Sequence, residues 1–387
     1  MLTADQKSPT LEAMNSPSDT NPSTVAKPTS SRLMSLDTLR GLDMFFLVGF
    51  SGIFRALPKC SDHPAFQFLA DQCSHPKWHG FTAWDQIFPL FIFMMGVAMP
   101  FSFASRLERG EKNSIYKHVA IRAVVLFCLG LVYWGNPLGS ENSGWGYYSV
   151  LYRIGFSYFF ASLIVLNCKA RGQTLWAFGL VLAYFLAMRF IPVPGYGAGD
   201  FSEQGNLAAY LAGWFEGFLP PGTNHLLSIT LIGSVANALF GALAGQWLRS
   251  GRSPNGKVGG LLMAGIAFIA LGIIIHMSFP VCKKLMSTSF TFLTCGISMI
   301  LLGSFYWVID VKGYRKWAFF FVVVGMNSIT IYLATRYVDF GRLASVFVGG
   351  FSRCLGPAEP LVLAIATATL MWLFLYFLYR RKIFLKV

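Results

Sequence analysis

Charged residues are scarce in this sequence: Asp, Glu, Lys and Arg make up 12% of its 387 residues, against about 25% in an ordinary soluble domain. Acids are the scarcest, with 17 Asp and Glu against 31 Lys and Arg. Hydrophobic residues reach 55% and aromatic residues 16%. This balance excludes an ordinary soluble domain and predicts an all-α polytopic membrane protein surrounded by lipid.

The excess of positive charge does not indicate a nucleic-acid partner. Lys and Arg lie in short segments between long apolar runs, which is the pattern of the positive-inside rule rather than that of a basic patch. We therefore expect no nucleic-acid binding.

Cysteine is scarce too, and seven cysteines are too few for a disulfide scaffold. Cys60 and Cys73 share one loop, and Cys282 and Cys354 lie in two other loops assigned to the same side. Two disulfides are compatible with this spacing if that side is oxidising. The sequence has no Walker loop, G-x-G-x-x-G strand, CxxC pair or HExxH. Nucleotide hydrolysis and structural zinc are therefore unsupported, and we expect no metal.

Apolar runs that could cross a bilayer, each of about 20 residues, occur ten times. They cover residues 38–57, 82–105, 118–135, 149–167, 174–192, 226–248, 257–276, 287–309, 317–335 and 360–379. The loops on the side of both termini carry 20 Lys and Arg, whereas the opposite loops carry 9. The positive-inside rule therefore predicts a bundle of about ten transmembrane helices with both termini cytoplasmic.

Three segments are expected outside the membrane core. Residues 1–31 are rich in Ser, Thr, Pro and Asn and contain no apolar run, which predicts a disordered cytoplasmic tail without a cleavable signal peptide. The 193–225 segment is expected to be an extramembrane loop with a short amphipathic helix, and 340–356 another interfacial piece.

The stretch "HPKWHGFTAWDQIFP" at 75–89 places His75, His79 and Asp85 at the outer mouth of the second span. Ionisable groups at such a boundary are costly unless they are paired or face a water-filled cavity. A histidine beside a carboxylate is the usual means of holding one tautomer for general-base or nucleophilic work. The structural alternative is that Thr82-x-x-Asp85 is a capping box that only starts a helix, with His79 an ordinary surface histidine.

A second polar motif is "RLMSLDTLRGLDMFF" at 32–46. Asp37 is predicted to cap the first helix, because an Asx side chain accepts from the first-turn amides. Arg40 lies three residues from both Asp37 and Asp43, so it can form a juxtamembrane ion pair. Alternatively, Arg40 offers its guanidinium to a phosphate group on the cytoplasmic side.

Polar residues also fall within other spans. Asn327 and Ser328 lie in "GMNSITIYLATR", where they either bond between helices or line a cavity. Arg153 is a single cation in the first turn of the fourth span, and Arg122 lies one turn inside the third span, where it can snorkel to the interface.

Several long blocks of this sequence resemble the membrane region of the heparan-α-glucosaminide N-acetyltransferase family and its bacterial relatives. They occur in family order and are "RLMSLDTLRG" (32–41), "HPKWHGFTAWDQIFPLFIFMMG" (75–96), "YRIGFSYFFASL" (152–163), "IDVKGYRKW" (309–317), "GMNSITIYL" (325–333) and "LYRRKIFLKV" (378–387). The resemblance implies a transmembrane acyltransferase domain over 32–387. It would move acetyl from cytoplasmic acetyl-CoA, a co-substrate, to the amine of a glucosamine on the outer side.

The resemblance also carries site residues. The family's active histidine falls on His75 rather than His79, and Asp85 matches a family aspartate. Three positions depart from the family: Ser51 replaces an asparagine, "NHLL" at 224–227 replaces an acidic segment, and Thr335 replaces a histidine of the animal enzyme. All three lie on the outer side and so concern the acceptor more than the donor.

The resulting expectation is a multi-pass enzyme of the cell inner membrane, with a homodimer as one possible assembly. His75 either takes the acetyl group or deprotonates the acceptor, and these two routes stay open. Asp85 orients His75, and Asn327 stabilises the oxyanion. The phosphates of the donor are expected to bind Arg40, Arg106, Arg109, Lys312 and Arg315. The acceptor sugar or glycan is expected to contact Ser51, Trp78, His79 and Arg153.

Two other functions remain open at this point. An amino-sugar permease would also suit aromatic-rich helices with a few buried polar groups, although no inverted repeat is evident. The other is an O- or N-acyltransferase acting on a different envelope glycan.

Overall fold

The computed structural model describes residues 33–134, 149–214 and 228–385. The expected tail at 1–31 and the "NHLL" segment at 224–227 lie outside these ranges. Within them the protein is almost entirely helical, and its one sheet is a two-stranded antiparallel ribbon of β1 (Pro192–Val193) and β2 (Gly197–Ala198).

The helices of the described ranges follow the apolar runs closely. They are α1 (Met34–Phe45), α2 (Ser51–Cys60), α3 (Pro64–Asp71), α4 (Ala83–Glu108), α5 (Lys112–Trp134), α6 (Val150–Asn167), α7 (Ala170–Phe190), α8 (Leu207–Gly213), α9 (Leu231–Arg249), α10 (Pro254–His276), α11 (Thr288–Phe305), α12 (Ala318–Met326), α13 (Ser328–Tyr337), α14 (Phe340–Arg353) and α15 (Glu359–Arg380). One π-helical turn, Phe46–Phe50, joins α1 to α2, and another, Tyr306–Val311, extends α11.

Nine helical segments of the described residues are long and apolar enough to cross a membrane, and the pair α12–α13, bent by 68°, would make a tenth. This confirms the predicted bundle of about ten transmembrane helices in a multi-pass membrane protein. The expected short helices outside the spans are α8 and α14.

The start of α1 differs from the sequence-based prediction. Asp37 does not cap the helix, because α1 begins at Met34 and Asp37 lies in its first turn. The backbone N–H of Ser35 instead donates to the Asp310 carboxylate at 3.2 Å, from a segment 275 residues away. The predicted ion pair is present, since Arg40 lies 3.5 Å from Asp37.

Helices α4 and α9 pack backbone against backbone, and this contact places the start of α4. A Cβ atom on Gly96 would overlap the carbonyl oxygen of Ala238, and one on Gly241 would overlap that of Phe93. Small residues permit such close approach within membranes, where dispersion contacts replace the hydrophobic effect as the driving force.

Gly241→Leu is therefore expected to destabilise the protein by about 3 kcal/mol or more, because overpacking at a backbone contact cannot relax by a rotamer change. Thermal unfolding in detergent measures the effect. Gly259→Leu is the matched control, since nothing lies within 4 Å of a Cβ at that position of α10. Equal melting temperatures for the two variants would contradict the close α4–α9 contact.

Candidate active site

His75 and Asp85 meet at the beginning of α4. Thr82 and Asp85 form a capping box, and the Thr82 N–H donates to Asp85 Oδ2 at 3.1 Å. The other carboxylate oxygen, Oδ1, lies 2.7 Å from His75 Nδ1. Asp85 thus starts the helix and also holds the His75 ring through a hydrogen bond, so the capping role does not exclude a role beside His75.

The environments of the two side chains differ sharply. The Asp85 carboxylate is fully buried, whereas 48% of the His75 side chain is exposed. Because a carboxylate accepts, Nδ1 of the neutral imidazole donates to Asp85 and Nε2 retains its lone pair. The exposed edge of His75 can therefore act as a nucleophile or a general base.

Lys283 is a third member of this cluster, and sequence reasoning did not identify it. Its Nζ lies 3.5 Å from Asp85 Oδ1 and 3.2 Å from His75 Nε2. The loop between α10 and α11 that carries Lys283 is tied to the His75 loop by the Gly80 N–H, which donates to the Val281 carbonyl at 2.9 Å. Burial lowers the pKa of Lys283, against the opposing pull of the Asp85 carboxylate. In sequence, Lys283 is indistinguishable from a loop cation that sets orientation.

Two cavities in the described part of the chain border this cluster, and a third adjoins the second of them. The histidine cavity, of about 230 Å³, is lined by His75, Trp78, Asp85, Arg153, Lys283 and Lys284 among others. The middle cavity, of about 200 Å³, is mainly apolar, with Met44, Leu47, Ile87, Phe91 and Leu151 in its wall. The arginine cavity, of about 210 Å³, is lined by residues that include Arg40, Arg122 and Ser328.

Neighbouring cavities share walls. His75, Phe88, Val150 and Lys283 line both the histidine and the middle cavities. Phe91, Leu151, Ile154 and Ile329 line both the middle and the arginine cavities. The three cavities therefore form a row between the spans, with His75 on the wall between the first two and Arg40 and Arg122 in the wall of the third.

The structure brings one of the five expected donor-binding cations, Arg40, into the wall of the arginine cavity. Arg106, Arg109, Lys312 and Arg315 are not among the residues lining that cavity. Arg109 pairs with Glu111 at 2.9 Å, Lys312 lies over the Trp307 ring, and Arg315 donates to the Ile309 carbonyl.

Arg122 is the second cation of the arginine cavity. Its guanidinium lies 4.5 Å from the centre of the Tyr158 ring, and its Nε is buried without a hydrogen-bond partner in the described part of the chain. The side chain therefore faces the interior of the bundle, in contrast to the snorkelling position considered from the sequence.

Asn327 is not brought to His75, so its expected role at the oxyanion lacks a geometric basis. The residue lies at the break between α12 and α13, where the helix axis bends by 68°. Its amide group donates to the Ile383 carbonyl at 3.0 Å and accepts from the Leu385 N–H at 3.4 Å. Both the nitrogen and the oxygen of the Asn327 amide are thus hydrogen-bonded to the backbone of the segment after α15.

Trp78 and Arg153 do line the histidine cavity. The Trp78 indole N–H donates to the Phe201 carbonyl at 2.7 Å, and Arg153 donates to the Thr230 hydroxyl at 2.9 Å, so both are held by the surrounding protein. His79 lies edge-on to Trp78, and burial together with His276 lowers its pKa. The buried Ser51 hydroxyl donates to Leu47 within its own helix at 2.8 Å.

The seven cysteines are free thiols in the structure. Cys73 and Cys282 are buried, which raises the pKa of each thiol. Among the residues that the structure describes, no group of three His, Cys, Asp or Glu side chains could hold a metal ion.

Comparison with known proteins agrees with this geometry. A family model described as a domain of unknown function (DUF5009) matches residues 32–135, which include His75 and Asp85. Heparan-alpha-glucosaminide N-acetyltransferase from Homo sapiens is 26% identical over 92% of this chain, and the one from Mus musculus is also 26% identical over 92%. The alignments cover 60% and 61% of those relatives, so this chain matches somewhat less than two thirds of their length. The resemblance found in the sequence motifs is confirmed: over nearly its whole length this chain is similar to the heparan-alpha-glucosaminide N-acetyltransferases of these two organisms.

Proposed function

We propose that this protein is a transmembrane acetyltransferase that moves acetyl from acetyl-CoA to the amine of a glucosamine-type sugar on the opposite side of the membrane. The observation that carries the proposal is the row of three cavities, which links an arginine pair at one end to the His75–Asp85 pair at the other. The named activity of the relatives supports the same chemistry.

The arginine cavity suits the nucleotide end of the donor. Guanidinium groups bind phosphates through paired hydrogen bonds, and Arg40 and Arg122 both face this cavity. The mainly apolar middle cavity suits the pantetheine arm, and the thioester would then reach the wall shared with the histidine cavity. The excess of Lys and Arg on the Arg40 side supports placing this end in the cytoplasm, in a cell inner membrane with both termini cytoplasmic.

The histidine cavity suits the acceptor. Trp78 offers an aromatic surface for a sugar ring, and Arg153 and Lys284 offer donors to its oxygen atoms. His79 packs edge-on against Trp78 of this cavity and stays a candidate acceptor contact, whereas Ser51 is a candidate from the sequence resemblance alone.

In the proposed reaction, the amine nitrogen of the acceptor forms a bond to the acetyl carbon, the bond from that carbon to the CoA sulfur breaks, and the proton lost by the amine balances the leaving thiolate as the CoA thiol. If His75 carries the acetyl group, its own bond to the acetyl carbon breaks when the amine attacks. His75 Nε2 either attacks the thioester carbonyl and carries the acetyl group, or removes a proton from the acceptor ammonium for direct attack. The Asp85 carboxylate stabilises the positive charge that develops on the imidazole in both routes.

The mainly apolar wall of the middle cavity supports this function over that of a sugar permease. A permeating sugar needs hydrogen-bond partners along its path, because unsatisfied hydroxyl groups are costly in an apolar environment. Most of the wall of the middle cavity is apolar, with Met44, Leu47, Ile87 and Phe91 in it, and its polar side chains are His75, Trp84, Tyr133, Lys283 and Tyr332. Acylation of a different envelope glycan would use the same donor path and differ only in the acceptor.

Binding of CoA tests the donor end directly. We expect acetyl-CoA or CoA to raise the melting temperature of the purified protein by several degrees, since a ligand at a hundredfold excess over Kd stabilises by about 2.7 kcal/mol. Arg40→Ala and Arg122→Ala should each weaken the shift, whereas Arg171→Ala, an exposed cation elsewhere, should not. Stabilisation by a glucosamine analogue without any response to millimolar CoA would reject the proposal and favour the permease.

A further inference from the structure

We propose that Lys283 stabilises the oxyanion of the acetyl-transfer reaction, in the role that the sequence had suggested for Asn327. This inference rests on the proposed function, because it concerns the charge that forms when the thioester carbonyl is attacked. It adds a catalytic residue that neither the motifs nor the comparisons indicate.

The position of Lys283 carries the inference. Its Nζ lies 3.2 Å from His75 Nε2 and 3.4 Å from Nδ1, so the ammonium sits beside the nitrogen that would attack. Four residues line both the histidine and the middle cavities, and His75 and Lys283 are the ionisable members of that set. Donor and acceptor would meet at this shared wall.

The chemistry requires a positive group at this point. When a nitrogen lone pair attacks the thioester carbon, the π electron pair of the carbonyl moves to oxygen and forms an alkoxide. Collapse of that alkoxide restores the C=O bond and expels the CoA thiolate. A hydrogen-bond donor aimed at the oxygen stabilises the anion more than the neutral carbonyl, which lowers the barrier. Both the covalent and the direct route pass through such an anion, so the role of Lys283 is the same in each.

The charges around Lys283 explain how it is held in place. Asp85 at the start of α4 attracts it at 3.5 Å, and His75 Nε2 lies 3.2 Å from it. Arg153 on α6 repels it, and Lys284 follows it in the same loop. With 27% of its side chain exposed, the lysine is held by Asp85 yet still reaches the cavity.

The protonated form of Lys283 is the active one in this role, so activity should fall as pH rises through its pKa. Burial lowers that pKa, which moves the alkaline limb of the pH–rate profile below the usual lysine range near 10.4. An arginine at this position keeps its charge at every accessible pH and should remove the limb.

The test compares kcat, KM and pH profiles for purified wild-type protein, Lys283→Met, Lys283→Arg and the control Lys77→Met, an exposed lysine in the His75 loop. We expect Lys283→Met to lower kcat by about 10²- to 10³-fold, as for loss of one oxyanion donor, with the KM for acetyl-CoA little changed. Lys283→Arg should recover much of kcat and lose the alkaline limb, and Lys77→Met should behave as wild type.

The outcomes separate this inference from the proposed function. Wild-type kcat in Lys283→Met, with His75→Ala inactive, would overturn the role of Lys283 and leave the acetyltransferase intact. The role would also be overturned if Lys283→Met lowers kcat and Lys283→Arg neither recovers kcat nor changes the pH profile. Lys283 would then form only a structural ion pair. The melting temperature and the CoA-induced stabilisation of each variant show whether it folds. If Lys283→Met does not fold, the kcat and pH profile of Lys283→Arg provide the test. An inactive wild-type protein that does not bind CoA would instead reject the proposed function.

Discussion

We expect His75→Ala to lower acetyl transfer by at least about 10³-fold, because it would remove the group proposed to act as nucleophile or general base. His79→Ala should cost much less, since His79 contacts Trp78 but is not among the residues lining the histidine cavity. The two histidines are four residues apart in one loop, so they form a matched pair. Transfer to glucosamine by the purified variants, with melting temperatures as a folding control, measures the difference.

Asp85→Asn extends this experiment. A carboxylate accepts the proton of His75 Nδ1, whereas an amide can also donate to that nitrogen and favour the wrong tautomer. We expect kcat to fall by about 10²-fold or more while binding of CoA is retained. Similar activities of His75→Ala and His79→Ala would contradict the assignment of His75, and full activity of Asp85→Asn would contradict the orienting role.

Blocking the row of cavities should have an effect of similar size. Ile329 on α13 lines both the middle and the arginine cavities, so Ile329→Trp is expected to close the path between the arginine pair and His75. Transfer from acetyl-CoA should then fall by at least about 10²-fold, since correct positioning of the reactants supplies much of the rate. The wall shared by His75 and Lys283 is left unchanged.

A short donor distinguishes a blocked path from a damaged site. S-acetyl-N-acetylcysteamine carries the thioester without the nucleotide and can reach His75 from the side of the histidine cavity. In vesicles of one orientation, Ile329→Trp should lose transfer from acetyl-CoA added on the Arg40 side and retain transfer from the short donor added on the His75 side. Ile266→Trp, with a lipid-facing side chain that is 63% exposed, is the control. Loss of both reactions, or of neither, would contradict a donor path through these cavities.

The class of the protein and most of its fold could be predicted from the sequence. Apolar runs of membrane-spanning length specify spanning helices wherever they occur, because a backbone within lipid must satisfy its own hydrogen bonds. The ten expected spans therefore correspond to nine long helices and the bent pair α12–α13. The His75–Asp85 pair could also be predicted, because the contact is local in sequence. Its members are ten residues apart, and the capping box at Thr82 fixes the short turn between them.

Which distant residues lie beside His75 and Arg40 could be seen only once the helices were packed in three dimensions. Lys283 reaches His75 across 208 residues of chain, and Arg122 joins Arg40 in one cavity, although each is a single cation without a local motif. Asn327 is a polar residue within a span and so looked like a site residue, yet its amide donates to the Ile383 carbonyl in the segment after α15. Membrane-spanning helices and contacts between residues close in sequence depend on neighbouring residues, so they can be predicted from the sequence. The position of a lone polar side chain depends on how whole helices pack, and here close contacts such as Gly241 against Phe93 set that packing.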